Sequence, residues 1–293
     1  MTAPTGTAPE AGARVDVQPD RWYRGYVFDL DGTVYLGDEP LPRAAETIAA
    51  LRAAGSRTVF LSNNPTKDPA MYAEKLSRLG IPTAVEEILN PLVTMSAWLL
   101  ENAPGAGVFV IGEEPLRRHL RERGIRLVEE AAETDVVVAS FDRTFDYRKL
   151  QTAFDALWFH RRARLVTTNP DRFCPMPGGR GEPDAAAVVA AIEACTGVTC
   201  EMNAGKPGTV MLDAVRDLLG LPVEDCVLVG DRLATDIAMA RAAGMASALV
   251  LTGENTAGEA AALPADQRPT WVLEGIGALL PGSQPSGAAG AEA

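Results

Sequence analysis

The sequence is poor in the side chains that most often build zinc hydrolases and disulfide frameworks. Histidine occurs only at His119 and His160, which leaves little room for a zinc centre with imidazole ligands. The cysteines, Cys174, Cys195, Cys200 and Cys226, contain no C-x-x-C pair and are too few for a disulfide framework in a chain this long. Cys226 stands in an apolar run and is expected to be a small buried hydrophobe. A reduced, cytoplasmic protein fits this usage. Lysine is confined to Lys67, Lys75, Lys149 and Lys206, every other basic position being arginine, so a lysine in an unusual setting stands out. No apolar run approaches the roughly 20 residues needed to cross a bilayer. The opening stretch, rich in Ala, Pro, Thr and Gly, lacks the basic start and apolar segment of a secretory signal. Positive charge is also in deficit: 27 basic against 39 acidic residues give a formal net charge of −12. Such a surface repels phosphate backbones and anionic lipids, which argues against nucleic-acid and membrane partners. A small phosphate ester would have to be held by local donors and a cation.

What the chain does have is apolar mass and alternation. At 293 residues and 47% hydrophobic composition it can bury a large core, and its length suits two domains better than one. Segments 1–20 and 281–293 read as disordered tails. Between them, strands at 25–30 (GYVFDL) and 57–61 (RTVFL) alternate with helices at 43–54 and 70–79. The pattern resumes with a helix at 208–219, a strand at 225–229, a helix at 235–243, and strands at 246–251 and 271–273. This predicts an α/β fold with a doubly wound parallel sheet, formed by 21–98 and 201–280. Segment 99–200 has its own alternation. Strands at 108–111, 135–139 and 164–168, with helices at 116–123, 147–160 and 184–195, predict an inserted α/β domain.

In a parallel sheet ligands bind beyond the carboxyl ends of the strands, which selects four junctions. After the first strand comes Asp29-Leu30-Asp31-Gly32. Carboxylates at i and i+2 of an extended strand end point to the same side and repel, unless a cation lies between them or one is protonated. A plain polar turn would account for that motif alone equally well. After the second strand, Ser62, Asn63 and Asn64 supply a hydroxyl, amides and main-chain N–H groups able to grip phosphoryl oxygens, or simply an Asn-rich turn before Pro65. Lys206, between Gly205 and Pro207, precedes a helix whose dipole disfavours a cation there, a conflict removed if it pairs with a phosphate and an aspartate. A Walker A loop is excluded, because Pro207 stands where Ser or Thr should follow the lysine. After the strand at 225–229, Asp231 emerges as an oxygen ligand. Asp236 lies in the first turn of the next helix, either as a cap or in support of a metal. Together these groups suit a hard cation and a phosphoryl group.

At these residues the sequence resembles the haloacid dehalogenase-like phosphatase superfamily. It is most similar to the subfamily, IIA, containing 4-nitrophenylphosphatase-like, pyridoxal-phosphate and phosphoglycolate phosphatases. The resemblance is carried by VFDLDGTVYLGD (27–38), FLSNNPTK (60–67), GKP (205–207) and GDRLATDIAMARAAGM (230–245), with VLTGE (250–254) and TNPD (168–171) in support. It covers about 24–280. It implies that Asp29 is the nucleophile and Asp31 the general acid/base. It also implies Mg²⁺ held by the Asp29 carboxylate, the Asp31 main-chain carbonyl and Asp231, with Asp236 supporting the metal. Ser62 and Asn63 would hold phosphoryl oxygens, Lys206 would neutralise charge between phosphate and nucleophile, and the insert would be a cap closing over the core. Homodimerisation through the cap is implied by the resemblance only.

The cap stretch 169–179 departs from the family pattern. Cys174 stands where pyridoxal-phosphate phosphatases carry a histidine that touches substrate, which argues against that substrate. Asp171, Arg172 and Cys174, with Phe173, are candidates for substrate contact, and a plain Pro/Gly loop is the competing reading. The expected activity is hydrolysis of a small metabolite phosphate, such as a sugar or polyol phosphate, through an aspartyl-phosphate. Transfer to a small acceptor differs only in what replaces water. A catalytically silent binding protein would have lost Asp29, Asp31, Lys206 or Asp231, and all four are present. A nicotinamide-binding Rossmann enzyme is excluded, since G-x-G-x-x-G does not follow the first strand.

Overall fold

The computed structural model describes residues 18–176 and 180–281. The two expected tails lie almost wholly outside the described residues, as does 177–179 of the cap stretch. The chain begins with β1 (Gly25–Asp29), a two-residue hairpin of β2 (Tyr35–Leu36) and β3 (Glu39–Pro40), and α1 (Ala44–Ala53). It continues through β4 (Arg57–Leu61), α2 (Pro69–Arg78), β5 (Ile88–Leu89) and α3 (Pro91–Asn102). The second run holds β6 (Val108–Ile111), α4 (Glu114–Glu122), β7 (Val136–Ala139), α5 (Tyr147–Phe154) and β8 (Arg164–Thr167). The hairpin β9 (Phe173–Met176) and β10 (Arg180–Pro183), α6 (Ala185–Thr196) and β11 (Met202–Asn203) complete it. The chain then returns through α7 (Thr209–Leu219), β12 (Cys226–Gly230), α8 (Ala238–Ala243), β13 (Ala246–Val250), α9 (Ala257–Ala262) and β14 (Trp271–Leu273).

Six strands form one parallel sheet in the order β14-β13-β12-β1-β4-β5, and four form a second in the order β11-β8-β7-β6. Both faces of the first sheet are covered. Tyr26 and Phe28 of β1 pack with Phe60, Ile48 and Leu51 of α1, and Tyr72 and Leu76 of α2. Val27, between them, points the other way, onto Met211 and Val215 of α7 and Met239 of α8. Period-2 alternation with both sets apolar is what a strand buried on two faces requires. Cys226 is buried in that second layer, as expected. The doubly wound α/β sheet and the inserted α/β layer are therefore both present.

Two expected helices differ in detail. The boundary expected at 98/99 falls within α3, whose Leu92, Met95 and Leu99 pack with Val108 and Val110 of the four-stranded sheet while its Val93 packs on the layer of α7. The single helix expected at 147–160 ends as α5 at Phe154 and continues as a wide turn, Asp155–Phe159, closed by the His160 N–H on the Asp155 carbonyl. The helix expected at 235–243 likewise opens with a wide turn, Leu233–Ile237, in which the Ile237 N–H reaches back to the Arg232 carbonyl. That extra residue in the turn directs Asp236 inward, the kind of irregularity found at functional sites. Where a Pro/Gly loop was the competing reading for 169–179, β9 forms and pairs antiparallel with β10, which follows that stretch. Asp184 caps α6 from just outside its first turn. Among the described residues no helix is long and apolar enough to cross a membrane.

Candidate active site

The carboxyl ends of β1, β4 and β12 are neighbours in the first sheet, so the residues leaving them converge. Asp29 ends β1. Beyond it the chain must turn sharply, and Gly32 has φ +84 with no room for a Cβ, which would stand 2.7 Å from Asp231 Oδ2. The Gly32 carbonyl accepts the Thr252 hydroxyl at 2.6 Å, tying this turn to the loop after β13.

Lys206, between β11 and α7, is 2% exposed, and its ammonium donates to Asp29 Oδ1 and, at 2.7 Å, to Asp236 Oδ1. Burial works against the ammonium, but the Asp236 and Asp29 carboxylates outweigh it and raise the lysine pKa. Burial pushes the Asp29 carboxyl up, and Lys206 is the main group pulling it back. The conflict between a lysine and a helix start is thus met by two aspartates. The second oxygen of Asp236 accepts the Arg232 N–H at 3.1 Å.

Asp231 follows β12. Its Oδ2 accepts the Glu254 N–H at 2.7 Å, while its Oδ1 is buried with no hydrogen-bond partner. Burial first, then Asp236, raises its pKa to about 6, against the pull of the Glu254 N–H. Oxygens of Asp29, Asp231 and Asp236 lie within 4.8 Å of one another, all three residues buried. An orphaned carboxylate oxygen within an all-oxygen donor set is what a hard divalent cation such as Mg²⁺ would satisfy, so these residues fit one. The Asp31 carboxylate lies outside this trio.

Asp31 is exposed to solvent. The surrounding protein desolvates it and raises its pKa, while Lys75, Lys67 and Arg232 draw it down. Lys75 is itself unusual. Its ammonium donates to the Gly37 carbonyl, lies 3.5 Å from the Tyr35 ring centroid, and is shifted down in pKa by burial.

The other predicted residues divide. Ser62 Oγ lies 3.0 Å from the buried Tyr72 hydroxyl and also accepts the Asn64 N–H. The Asn64 side chain accepts the Thr66 N–H and hydroxyl, forming a local turn. Asn63 bonds to Lys206 and, through Nδ2 at 3.2 Å, to Asp171 Oδ2. Asp171 therefore comes from the insert into the core cleft, and its other oxygen is 3.9 Å from the Arg232 guanidinium. Cys174 is half-buried opposite Glu182 in the β9–β10 hairpin. Burial raises its thiol pKa, with Asp184 and Asp31 adding to it. Arg172 is exposed and takes part through its carbonyl, which accepts the Asp184 N–H.

Sequence reasoning passed over Arg232, Glu254, Asn169 and Tyr72. Arg232 makes a 2.9 Å ion pair with Glu254 and faces Asp171. Asn169 donates to the Asn63 carbonyl and to Asp184. Arg232, Glu254 and Asn169 all lay inside motifs already singled out, which was the available signal.

Residues 26–126 match the family model described as haloacid dehalogenase-like hydrolase, and 203–279 match a second model of HAD-like hydrolases. This chain is a haloacid dehalogenase-like hydrolase. The hydrolase is 38% identical to the sugar-phosphatase AraL of Bacillus subtilis over 80% of its own length and 85% of that protein's. Among solved structures it resembles a 4-nitrophenylphosphatase from Thermotoga maritima, with a TM-score of 0.80 and 32% identity over 88% of this chain and 96% of the other. It also resembles a glycerol phosphate phosphatase from Mycobacterium tuberculosis in complex with magnesium, with a TM-score of 0.79 and 30% identity over 88% and 76% of the two chains. These relatives place it in subfamily IIA.

Proposed function

We propose that this hydrolase is a phosphatase acting on a small phosphate monoester, such as a sugar or polyol phosphate, through a phosphoryl group carried on Asp29. The observation that carries the reading is the buried contact of Asp29 with Lys206, in a pocket shared with Asp231 and Asp236. The named activities of the relatives support the same substrate class.

An Asp29 oxygen attacks phosphorus as the ester P–O bond breaks, and Asp31 gives its proton to the departing oxygen. The raised pKa of Asp31 favours the protonated form this step needs. Asp31, now a carboxylate, takes a proton from water. The water oxygen bonds to phosphorus, the Asp29–phosphorus bond breaks, and inorganic phosphate leaves. Lys206 spreads positive charge over Asp29 and the phosphoryl oxygens, and the Ser62 hydroxyl with the Asn63 main-chain N–H would hold those oxygens. Asp29, Asp231 and the Asp31 main-chain carbonyl, with Asp236 in support, would hold a Mg²⁺ ion, which would supply further positive charge against anion–anion repulsion. The insert acts as a cap, and Asp171 and Cys174 approach the leaving group from its side.

The test is phosphate release from a panel of sugar, polyol and aromatic phosphate esters, with and without chelator. Release from at least one ester, silenced reversibly by chelation and abolished in Asp29→Asn, is the expected result. Undiminished release in Asp29→Asn would contradict the assignment.

A further inference from the structure

Asn63 was expected to hold phosphoryl oxygens, yet its side chain is already committed. A carboxamide offers one acceptor oxygen and two N–H donors. Oδ1 accepts the Lys206 N–H at 2.7 Å. Nδ2 donates to the Lys206 carbonyl at 3.1 Å and to Asp171 Oδ2 at 3.2 Å. The Asn63 main-chain carbonyl in turn accepts Asn169 Nδ2 at 3.1 Å, and Asn169 Oδ1 accepts the Asp171 N–H at 2.9 Å. Asn63 thus stands between the segment that leaves β8 of the cap and the main chain of Lys206.

The packing agrees. A Cβ on Gly205 would stand 2.7 Å from both Asn63 Oδ1 and the Thr168 carbonyl, so only glycine lets these segments approach this closely. Lys206 is consequently held at both ends, its ammonium by Asp29 and Asp236 and its peptide groups by Asn63.

We propose that Asn63 is a positioning residue: its carboxamide clips the catalytic lysine's main chain to the cap residue Asp171, so that cap seating and lysine placement are one event. The kinetic consequence rests on the phosphatase reading, and the structural consequence does not. The full chain is compared with Asn63→Ala, Asn63→Asp, Asp171→Asn and the double exchange Asn63→Asp/Asp171→Asn. Steady-state kinetics use an ester that the wild type hydrolyses, and amide hydrogen exchange is read at Lys206 and across 169–173.

Asn63→Ala should lower kcat on the order of 100-fold, the cost of a displaced catalytic group, with KM within about threefold. Asn63→Asp should be worse, because it brings a second carboxylate against Asp171. The double exchange should recover at least about tenfold over Asn63→Asp, since donor and acceptor have traded sides. Exchange at the Lys206 amide should quicken in Asn63→Ala, or in Asn63→Ser should the alanine variant fail to fold. A raised KM at unchanged kcat overturns the proposal by showing that the side chain holds substrate itself. A double exchange no better than Asn63→Asp overturns the coupling. Unchanged exchange at Lys206 overturns the clip whatever the kinetics. If the wild type releases no phosphate from any ester, the phosphatase reading falls and hydrogen exchange alone decides the clip.

Discussion

Replacing Lys206 by methionine removes an ammonium while keeping most of the side chain's apolar bulk, so it isolates the charge. That ammonium lies 2.7 Å from Asp236 Oδ1 and also binds Asp29, and all three residues are buried. At 2.7 Å and an effective dielectric near 20, the attraction to a single carboxylate is about 6 kcal/mol. Desolvation cancels part of this. What the substitution leaves behind is a set of carboxylates, Asp29, Asp231 and Asp236, facing one another without a counter-ion. Removing one partner of a buried pair costs about 3–5 kcal/mol, and we expect Lys206→Met to lose that much unfolding free energy in chelator. The loss should shrink in excess Mg²⁺, because a cation shared by the same oxygens offsets the same repulsion. Adding Asp236→Asn should restore part of the stability by deleting one of the opposed charges. Urea unfolding of the wild type and both variants, with and without chelator, reads all three effects. A loss below about 1 kcal/mol, the scale of a surface ion pair, or a loss indifferent to Mg²⁺, would refute the reasoning.

Asp231→Asn should abolish cation-induced stabilisation. The wild type should gain about 2.7 kcal/mol at a cation concentration 100 times Kd, and an equal gain in the variant, read by thermal unfolding, would remove Asp231 from the site. Asp184 gives a pH prediction away from the carboxylate trio. Burial raises its pKa to about 6, with Asp171 adding and the Ala185 N–H, Asn169 and Arg232 opposing. A raised carboxyl is protonated in the folded chain while ionised in the unfolded one, so its penalty is absent below about pH 4 and grows to full size above about pH 6. Asp184→Asn, which can still accept from Ala185 and Asn169, should therefore match the wild type near pH 4. Near pH 8 it should be more stable by on the order of 3 kcal/mol. A Tm difference that does not change with pH would show that Asp184 carries no such penalty.

The parts of the fold legible in the sequence were those with one strong period. Strands such as 57–61 and 271–273, bounded by turns and apolar on both faces, coincide with β4 and β14. Helix α3 escaped notice although Asn90 caps it and Pro91 occupies its first position. Its apolar residues face both the cap sheet and α7, so it lacks a clean amphipathic stripe. The β9–β10 hairpin was hidden because Pro175 and the Pro and Gly residues after it read as loop chemistry, and Pro183 read as part of a helix start. Three of the four junction motifs were legible because the parallel sheet alone brings the ends of β1, β4 and β12 together, while Lys206, which leaves β11 of the second sheet, stood out by its place before a helix. Which partner each side chain takes was not: Arg232 with Glu254 and Asp171, or Asn63 with Lys206, are pairings between residues 22 to 143 positions apart. No local period encodes them. The wide turn at Leu233–Ile237 was likewise invisible: the partner that Asp236 takes from it, Lys206, lies 30 positions away.

The central claim is that Asp29 itself carries the phosphoryl group. Rapid acid quenching during turnover, followed by peptide mass spectrometry, tests it directly. The account predicts one added phosphoryl mass on the peptide containing Asp29, absent in Asp29→Asn. A phosphoryl adduct on another residue, or steady phosphate release with no adduct at any quench time, would contradict it.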